Sequence, residues 1–182
     1  NQIYVNPHIG TPTVAFTVAG TNQKLIVHND FVYVKDDGAS LIRPYDLRSG
    51  TIVGAGTSSP VEDWIFVQNI LVTVGSSSTT TQLSIVTFLL NSDGSLGTSN
   101  TLSLPRAFRF WSRPGIAKHG TENVVYITGN EESGNYCLLF AVEILSNGVP
   151  VIRNTLTIDA MLLVVTDTFV SARQRPVFKN NV

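Results

Sequence analysis

Residues 25–34 decide the fold, and they read Leu25-Ile26-Val27-His28-Asn29-Asp30-Phe31-Val32-Tyr33-Val34. β-Branched and aromatic residues dominate two short apolar runs, and a polar Asn-Asp pair lies between them. This composition and spacing predict two antiparallel strands joined by a tight hairpin turn. The same plan then recurs along the rest of the chain.

The hairpin plan has three further copies. Residues 163–172 match residues 25–34 with apolar and polar positions in the same order. Residues 65–74 repeat the plan with one residue fewer in the turn, and residues 116–128 repeat it with a longer turn. The first three copies in chain order, which begin at residues 25, 65 and 116, each lead into a third strand, a polar turn that contains glycine, and a fourth strand. The stretches that carry these third strands and turns are residues 45–50, 88–94 and 142–148.

Units of four short antiparallel strands are typical of β-propeller blades, because one small sheet cannot cover both of its faces and must stack on its neighbours. Dividing the 182 residues by four gives about 45 residues per unit, a normal blade size. We therefore predict an all-β, β-propeller-like fold with about four four-stranded blades. It would form one domain over residues 1–182, with the two chain ends completing one blade. A β-sandwich or jelly roll, as found in virion proteins, is the alternative fold.

The apolar runs resemble those of a known group of repeat proteins. The runs Val32-Tyr33-Val34, Leu71-Val72-Thr73-Val74 and Val125-Tyr126-Ile127-Thr128, with the turn at residues 91–96, look like blades of the YVTN and lactonase-type β-propellers. The resemblance covers roughly residues 24–172. It implies a propeller that is either a non-catalytic surface protein or a sugar-lactone hydrolase with its site at the central channel.

Composition narrows the class of protein. With 43% hydrophobic and 14% charged residues, the chain is expected to fold. A net charge of -1 provides no basic field, so we expect no nucleic-acid partner, and the short apolar runs predict no membrane insertion. Since Asn1 is not Met, we expect a processed product or a fragment of a longer protein. The high content of Ser, Thr, Asn and Gly resembles the composition of extracellular fibre and phage tail proteins. This composition favours a location at an extracellular or virion surface.

Four repeat-related positions are candidates for a ring around the central channel: His28, Gln68, His119 and Thr166. Both histidines follow an inner strand, and the other two residues take the equivalent places in the remaining copies. Two imidazoles with one amide and one hydroxyl make a weak metal site, because selective sites recruit three or four strong ligands. We therefore predict no metal and no cofactor.

Residues 105–115 form the stretch best suited to recognition, since Arg and Trp are the side chains most enriched at interface hot spots. The predicted ligand-binding residues are Trp64, Arg106, Arg109, Trp111 and Arg113. A sugar, a carboxylate ligand or a protein partner would suit them. The alternative is that the aromatic side chains pack between blades while the arginines face water.

No short motif for nucleophilic catalysis is present in the sequence. Adjacent carboxylates such as Glu62-Asp63 read as solvated turn residues, and Cys137 reads as a buried, inert thiol. We therefore predict a non-catalytic binding or structural module, part of a larger extracellular or virion assembly, with a protein or glycan partner. The alternatives are a lactonase-like hydrolase and a carbohydrate-binding propeller.

Overall fold

The computed structural model describes residues 2–5, 13–17, 22–36, 41–57, 61–76, 82–107, 114–130 and 136–159. Strands supply the regular secondary structure of these residues, so the all-β class predicted from the sequence is confirmed. No helix long and apolar enough to cross a membrane occurs in this part of the chain.

The strands of the described residues have the following bounds: β1 Gln2–Val5, β2 Thr13–Thr17, β3 Asn22–His28, β4 Phe31–Asp36, β5 Leu41–Asp46, β6 Asp63–Val67, β7 Ile70–Ser76, β8 Gln82–Leu90, β9 Leu96–Ala107, β10 Gly115–Lys118, β11 Val124–Asn130, β12 Tyr136–Ile144 and β13 Pro150–Asp159.

Consecutive strands are neighbours in every sheet. The sheet orders are β1-β2, β3-β4-β5, β6-β7-β8-β9 and β10-β11-β12-β13. Ile52 adds an isolated bridge to Tyr45 on β5. This meander order matches the repeat read from the sequence. It differs from the Greek-key order of a jelly roll, in which a long connection returns a strand to the far side of its sheet.

Two compact units can be distinguished along the chain. The first comprises residues 1–60 and 90–97 and holds the β1-β2 and β3-β4-β5 sheets. The second comprises residues 61–89 and 98–182 and holds the two four-stranded sheets. The single domain over residues 1–182 stays a prediction.

Two-residue turns join the first two strands of the β3-β4-β5 and β6-β7-β8-β9 sheets. His28 pairs with Phe31 in one hairpin, and Val67 pairs with Ile70 in the other. The first turn residue has a positive φ in both, 55° at Asn29 and 52° at Gln68. Such turns are favoured in hairpins because their twist matches that of the flanking strands. The structure thus confirms hairpins over residues 25–34 and 65–74.

The third and fourth strands of each four-stranded sheet meet at a turn that ends in a left-handed glycine. Asn91 N–H donates to Ser95 C=O (3.0 Å) around Gly94, whose φ is 79°. Leu145 N–H likewise donates to Val149 C=O (3.0 Å) around Gly148, whose φ is 82°. These are three-residue hairpin loops in which the glycine forms the bulge, because a side chain strains the left-handed region.

The glycine carbonyl at each of these turns accepts a hydrogen bond from a hydroxyl of the preceding sheet. Tyr33 Oη donates to Gly94 O (2.8 Å) within the first unit, and Thr87 Oγ1 donates to Gly148 O within the second. Both pairs are separated by 61 residues in the chain. The repeat seen in the sequence is therefore also a repeat of long-range contacts.

The second unit has one hydrophobic core built from both of its sheets. Buried residues of β6, β7, β8 and β9 pack with buried residues of β10, β11 and β12 in a single cluster. The members that are fully inaccessible to solvent are Val72, Val74, Ile85, Leu104, Val125, Ile127, Leu138, Phe140 and Val142. A smaller cluster of Val32, Val34 and Tyr45 lies in the first unit.

Asp63 links the two sheets of the second unit through its carboxylate. Oδ1 accepts the N–H of Trp64 (2.9 Å), and Oδ2 accepts the N–H of Ile116 (3.2 Å) at the start of β10. The residue is buried, so the expectation of a solvated turn carboxylate is wrong here. The sequence alone misplaced it because its second partner lies 53 residues away.

Replacing Gly94 by Ala is expected to destabilise the protein by about 3–5 kcal/mol, from left-handed strain and overpacking together. An added Cβ would lie 2.4 Å from Cγ of Phe31, at a φ of 79°. Gly120→Ala is the matched control, because its φ is 53° and nothing lies within 4 Å of the added Cβ. It should lose only about 1–2 kcal/mol. Urea denaturation followed by circular dichroism measures both, and equal losses would contradict the packing argument.

Asp63→Ala should lower the free energy of unfolding by about 2–4 kcal/mol, because two buried N–H groups lose their acceptor. Asp63→Asn should lose less, since its amide oxygen still accepts one hydrogen bond. Urea denaturation followed by tryptophan fluorescence measures both losses, and a Trp111→Phe background leaves Trp64 as the single tryptophan. The exposed Glu122→Ala is the control for the loss of a carboxylate. A loss no larger than that of the control would show that Asp63 does not hold the two sheets together.

Burial raises the pKa of Tyr33 to about 12 from its ordinary value of 10.0, and the Asp93 carboxylate adds to the shift. The folded state therefore favours the protonated phenol, and this preference stabilises the fold. The stabilisation is fully present below pH 10 and is lost as the pH rises through about 12. We expect a late step in a phenolate absorbance titration, and Tyr33→Phe should abolish it. Survival of that step in the variant would assign it to another tyrosine.

Candidate functional site

A group of polar side chains lies on two turns of the second unit, which we call the polar turn surface. It consists of Gln68 and Asn69 in the β6–β7 turn and His119, Glu122 and Asn123 in the β10–β11 turn. Asn123 is half-buried and the other four residues are exposed. Two of the four predicted channel residues, Gln68 and His119, therefore lie on turns of the same surface.

A hydrogen bond joins the two turns. Gln68 Nε2 donates to Asn123 Oδ1 (2.9 Å), across 55 residues of sequence. The backbone of Asn123 is itself fixed to the sheet, because its carbonyl accepts the N–H of Ile144 (2.7 Å). The amide of Gln68 is thus held against a rigid part of the fold, and the surface has a defined shape before any ligand arrives.

The longer turn carries an imidazole next to a carboxylate. His119 Nδ1 lies 3.4 Å from Oε1 of Glu122, and Glu122 N–H donates to the carbonyl of His119 (3.2 Å). Both side chains are about half exposed, at 46% and 51%. In such a setting an ion pair contributes little to stability because water screens it. The pair can instead offer a donor and an acceptor to a ligand.

Gln68 adopts a backbone conformation that costs free energy for a residue with a side chain. Its φ of 52° lies in the left-handed region, where non-glycine residues pay about 1 kcal/mol or more. Asn29 takes the same position in the first unit, and asparagine tolerates this region better than glutamine does. The long side chain of Gln68 is what reaches Asn123, so the strained position carries the contact between the turns.

The chemistry available on this surface is hydrogen bonding. Amides, an imidazole and a carboxylate can pair with hydroxyl, amide or charged groups of a ligand. No group of three or more His, Cys, Asp or Glu side chains able to hold a metal ion occurs within the described ranges. Cys137 is half-buried, and burial raises its pKa, which keeps the thiol protonated at neutral pH.

The structure shifts the equivalence that the sequence suggested for the predicted channel residues. His28 is the last residue of β3, but the last residue of β6 is Val67, so Gln68 corresponds to Asn29. His119 directly follows β10, which ends at Lys118. The sequence alignment was one residue out because it counted Gln68 with the strand, whereas Gln68 and Asn69 form a turn as long as that of Asn29 and Asp30. Thr166 lies outside the described residues, and a ring of the four residues stays a prediction.

The residues predicted to bind a ligand are placed only in part. Trp64 is inaccessible to solvent and makes an edge-to-face contact with Phe66, with ring centroids 6.1 Å apart. This burial agrees with the packing alternative considered for the aromatic side chains. Arg106 lies in β9, while Arg109, Trp111 and Arg113 lie outside the described residues. Ligand binding by these five residues stays a prediction.

Sequence reasoning did not select Asn69, Glu122 and Asn123 as site residues. Asn123 is distinguished by its contact with Gln68, which no local pattern reveals. Glu122 could have been noticed from its spacing of three residues after His119, a distance that a tight turn brings within reach.

Comparison of the chain with protein-family models, with curated protein sequences and with solved structures finds no match in any of the three.

Proposed function

We propose that the chain is a non-catalytic binding module with a β-propeller-like arrangement of its sheets, and that it works as part of a larger extracellular or virion assembly. The polar turn surface is its recognition site. The observation that carries the binding proposal is the hydrogen bond between Gln68 and Asn123, which joins two turns into one preordered surface.

Two features support the propeller-like arrangement. Meanders of four strands are what propeller blades are made of, and two such meanders follow each other in the second unit. Their shared hydrophobic core is the kind of contact by which neighbouring blades bury their faces. The turns at Gly94 and Gly148 add a repeated contact with the preceding sheet.

Two features support recognition over catalysis at the polar turn surface. Its side chains are donors and acceptors of hydrogen bonds, and they stand on turns that a rigid scaffold positions. Hydroxyl-rich ligands such as glycans match this set, because each hydroxyl both donates and accepts. Glycans are therefore the first ligand class to test.

We expect the purified protein to bind a subset of glycans on an array and to hydrolyse neither lactones nor glycosides. Gln68→Gly is the sharpest variant, since it removes the side chain while it keeps a residue suited to a φ of 52°. Combined with Glu122→Ala, it should reduce glycan binding at least tenfold without lowering the melting temperature. Asp30→Ala, on an exposed turn of the first unit, is the matched control and should bind normally.

Other outcomes separate the alternatives. Turnover of a lactone that His119→Ala abolishes would overturn the non-catalytic proposal in favour of a hydrolase. Glycan binding that survives the double variant but disappears in Trp111→Ala would move the recognition site to residues 105–115.

A further inference from the structure

The turn between β12 and β13 carries an asparagine directly before a glycine, Asn147-Gly148. None of the other asparagines in the sequence precedes a glycine. Asparagine is a chemically labile residue, because its side-chain amide can react with the main-chain nitrogen that follows it. A side chain on the following residue hinders that nitrogen, whereas glycine has no Cβ. Asn147 is exposed, so the water and base that the reaction consumes can reach it.

The reaction is an intramolecular substitution at Cγ of Asn147. The nitrogen of Gly148 gives its proton to a base from solvent and forms a bond to Cγ, and the bond between Cγ and the side-chain nitrogen breaks. Ammonia leaves with a proton taken from water, and a cyclic succinimide remains. Water then opens the ring. Attack at Cγ gives aspartate, and attack at the main-chain carbonyl gives isoaspartate, in which the main chain runs through Cβ.

A hydrogen bond of the folded turn opposes the first step. Gly148 N–H donates to the carbonyl of Leu145 (2.8 Å), so the proton that must leave is the one that this bond holds. The turn must therefore open locally before the ring can close. The carbonyl of the same glycine accepts the hydroxyl of Thr87, and this second bond resists the opening.

We propose that Asn147 is a site of spontaneous deamidation, and that the hydrogen bond from Thr87 to Gly148 sets its rate. This bond ties the turn to β8 within the second unit. Each opening of the turn breaks it, so its strength determines how often Asn147 can react. The site needs no enzyme, and it does not depend on what the polar turn surface binds.

The aspartate product fits the turn. The corresponding turn between β8 and β9 already has an aspartate before its glycine, Asp93-Gly94. Asp93 Oδ1 accepts the N–H of Ser95 (2.9 Å), just as Asn147 Oδ1 accepts the N–H of Val149 (3.1 Å). An aspartate at position 147 can therefore keep the turn, and it adds a negative charge to an exposed position.

The isoaspartate product does not fit. It inserts Cβ into the main chain directly before Gly148, which is buried. The packing there is tight, because a Cβ added to this glycine would lie 3.2 Å from Nδ2 of Asn100 and 3.4 Å from Cδ2 of Leu89. A longer main chain must therefore move Gly148 away from Thr87. We expect isoaspartate to destabilise the second unit, and aspartate to leave it nearly unchanged.

Peptide mapping of the full-length protein during incubation at mildly alkaline pH tests the site. Aspartate and isoaspartate should accumulate at position 147 before any other asparagine reacts, and faster as the pH is raised, because the Gly148 nitrogen must lose a proton. Asn147→Gln is the control and should stay intact, since glutamine has to close a larger ring. Earlier reaction at another asparagine, or an intact Asn147 at the end of the incubation, would overturn the proposed site.

Thr87→Val tests the control of the rate. It removes the hydroxyl and keeps the shape of the side chain, so deamidation at Asn147 should become about two- to tenfold faster. Thr87→Ser retains the hydroxyl and should react at the rate of the unmodified protein. Tyr33→Phe is the matched control, because it removes the equivalent hydrogen bond at Gly94 and should leave the rate at Asn147 unchanged.

Hydrogen exchange at the Gly148 amide measures the same opening without any variant. This amide should be protected in the folded protein and should lose its protection in urea, where Asn147 should also react faster. Circular dichroism confirms that each variant is folded. Equal deamidation rates in Thr87→Val and Thr87→Ser, or an unprotected Gly148 amide, would overturn the role of Thr87.

Discussion

A small β-sheet has two faces, and its own strands can bury neither of them. The second unit meets this constraint by placing the inner faces of two four-stranded meanders on one shared core. The carboxylate of Asp63, which receives one N–H from each of the two sheets, fixes β6 next to β10. The polar turns can be rigid only because the sheets beneath them are held together in this way.

The glycine turns fix parts of the fold that lie outside the hydrophobic core. A hairpin tip has few apolar atoms, so it cannot be held by hydrophobic burial alone. Gly94 and Gly148 instead present a carbonyl to a hydroxyl of an earlier sheet. Phe31 lies against the Cα of Gly94, where no side chain fits. The left-handed conformation and the close packing thus both require glycine at one position.

Local sequence patterns predicted the structural features that depend on neighbouring residues. Alternating β-branched residues and polar turns located most of the strands, the hairpin at residues 25–34 and the turns that end in glycine. Such patterns do not reveal hydrogen-bond partners that are distant in the sequence. Asp63 was expected at the surface because Glu62-Asp63 looks like any charged turn, and its acceptor role for Ile116 is invisible in sequence. The offset between His28 and Gln68 arose because the sequence does not show where a strand ends, and Gln68 is the first residue of a two-residue turn rather than the last residue of β6.

The separation of 61 residues between each glycine turn and its hydroxyl partner also orders the events of folding. Hairpins close quickly because their ends are near in sequence, whereas contacts between distant residues must first bring a long loop together. During synthesis, Tyr33 and Thr87 leave the ribosome well before Gly94 and Gly148 do. The hydroxyl of each earlier sheet therefore cannot donate to its glycine carbonyl until the turn of the next sheet has been synthesised. A pause in translation would lengthen the interval in which these nascent sheets can pair with the wrong strand.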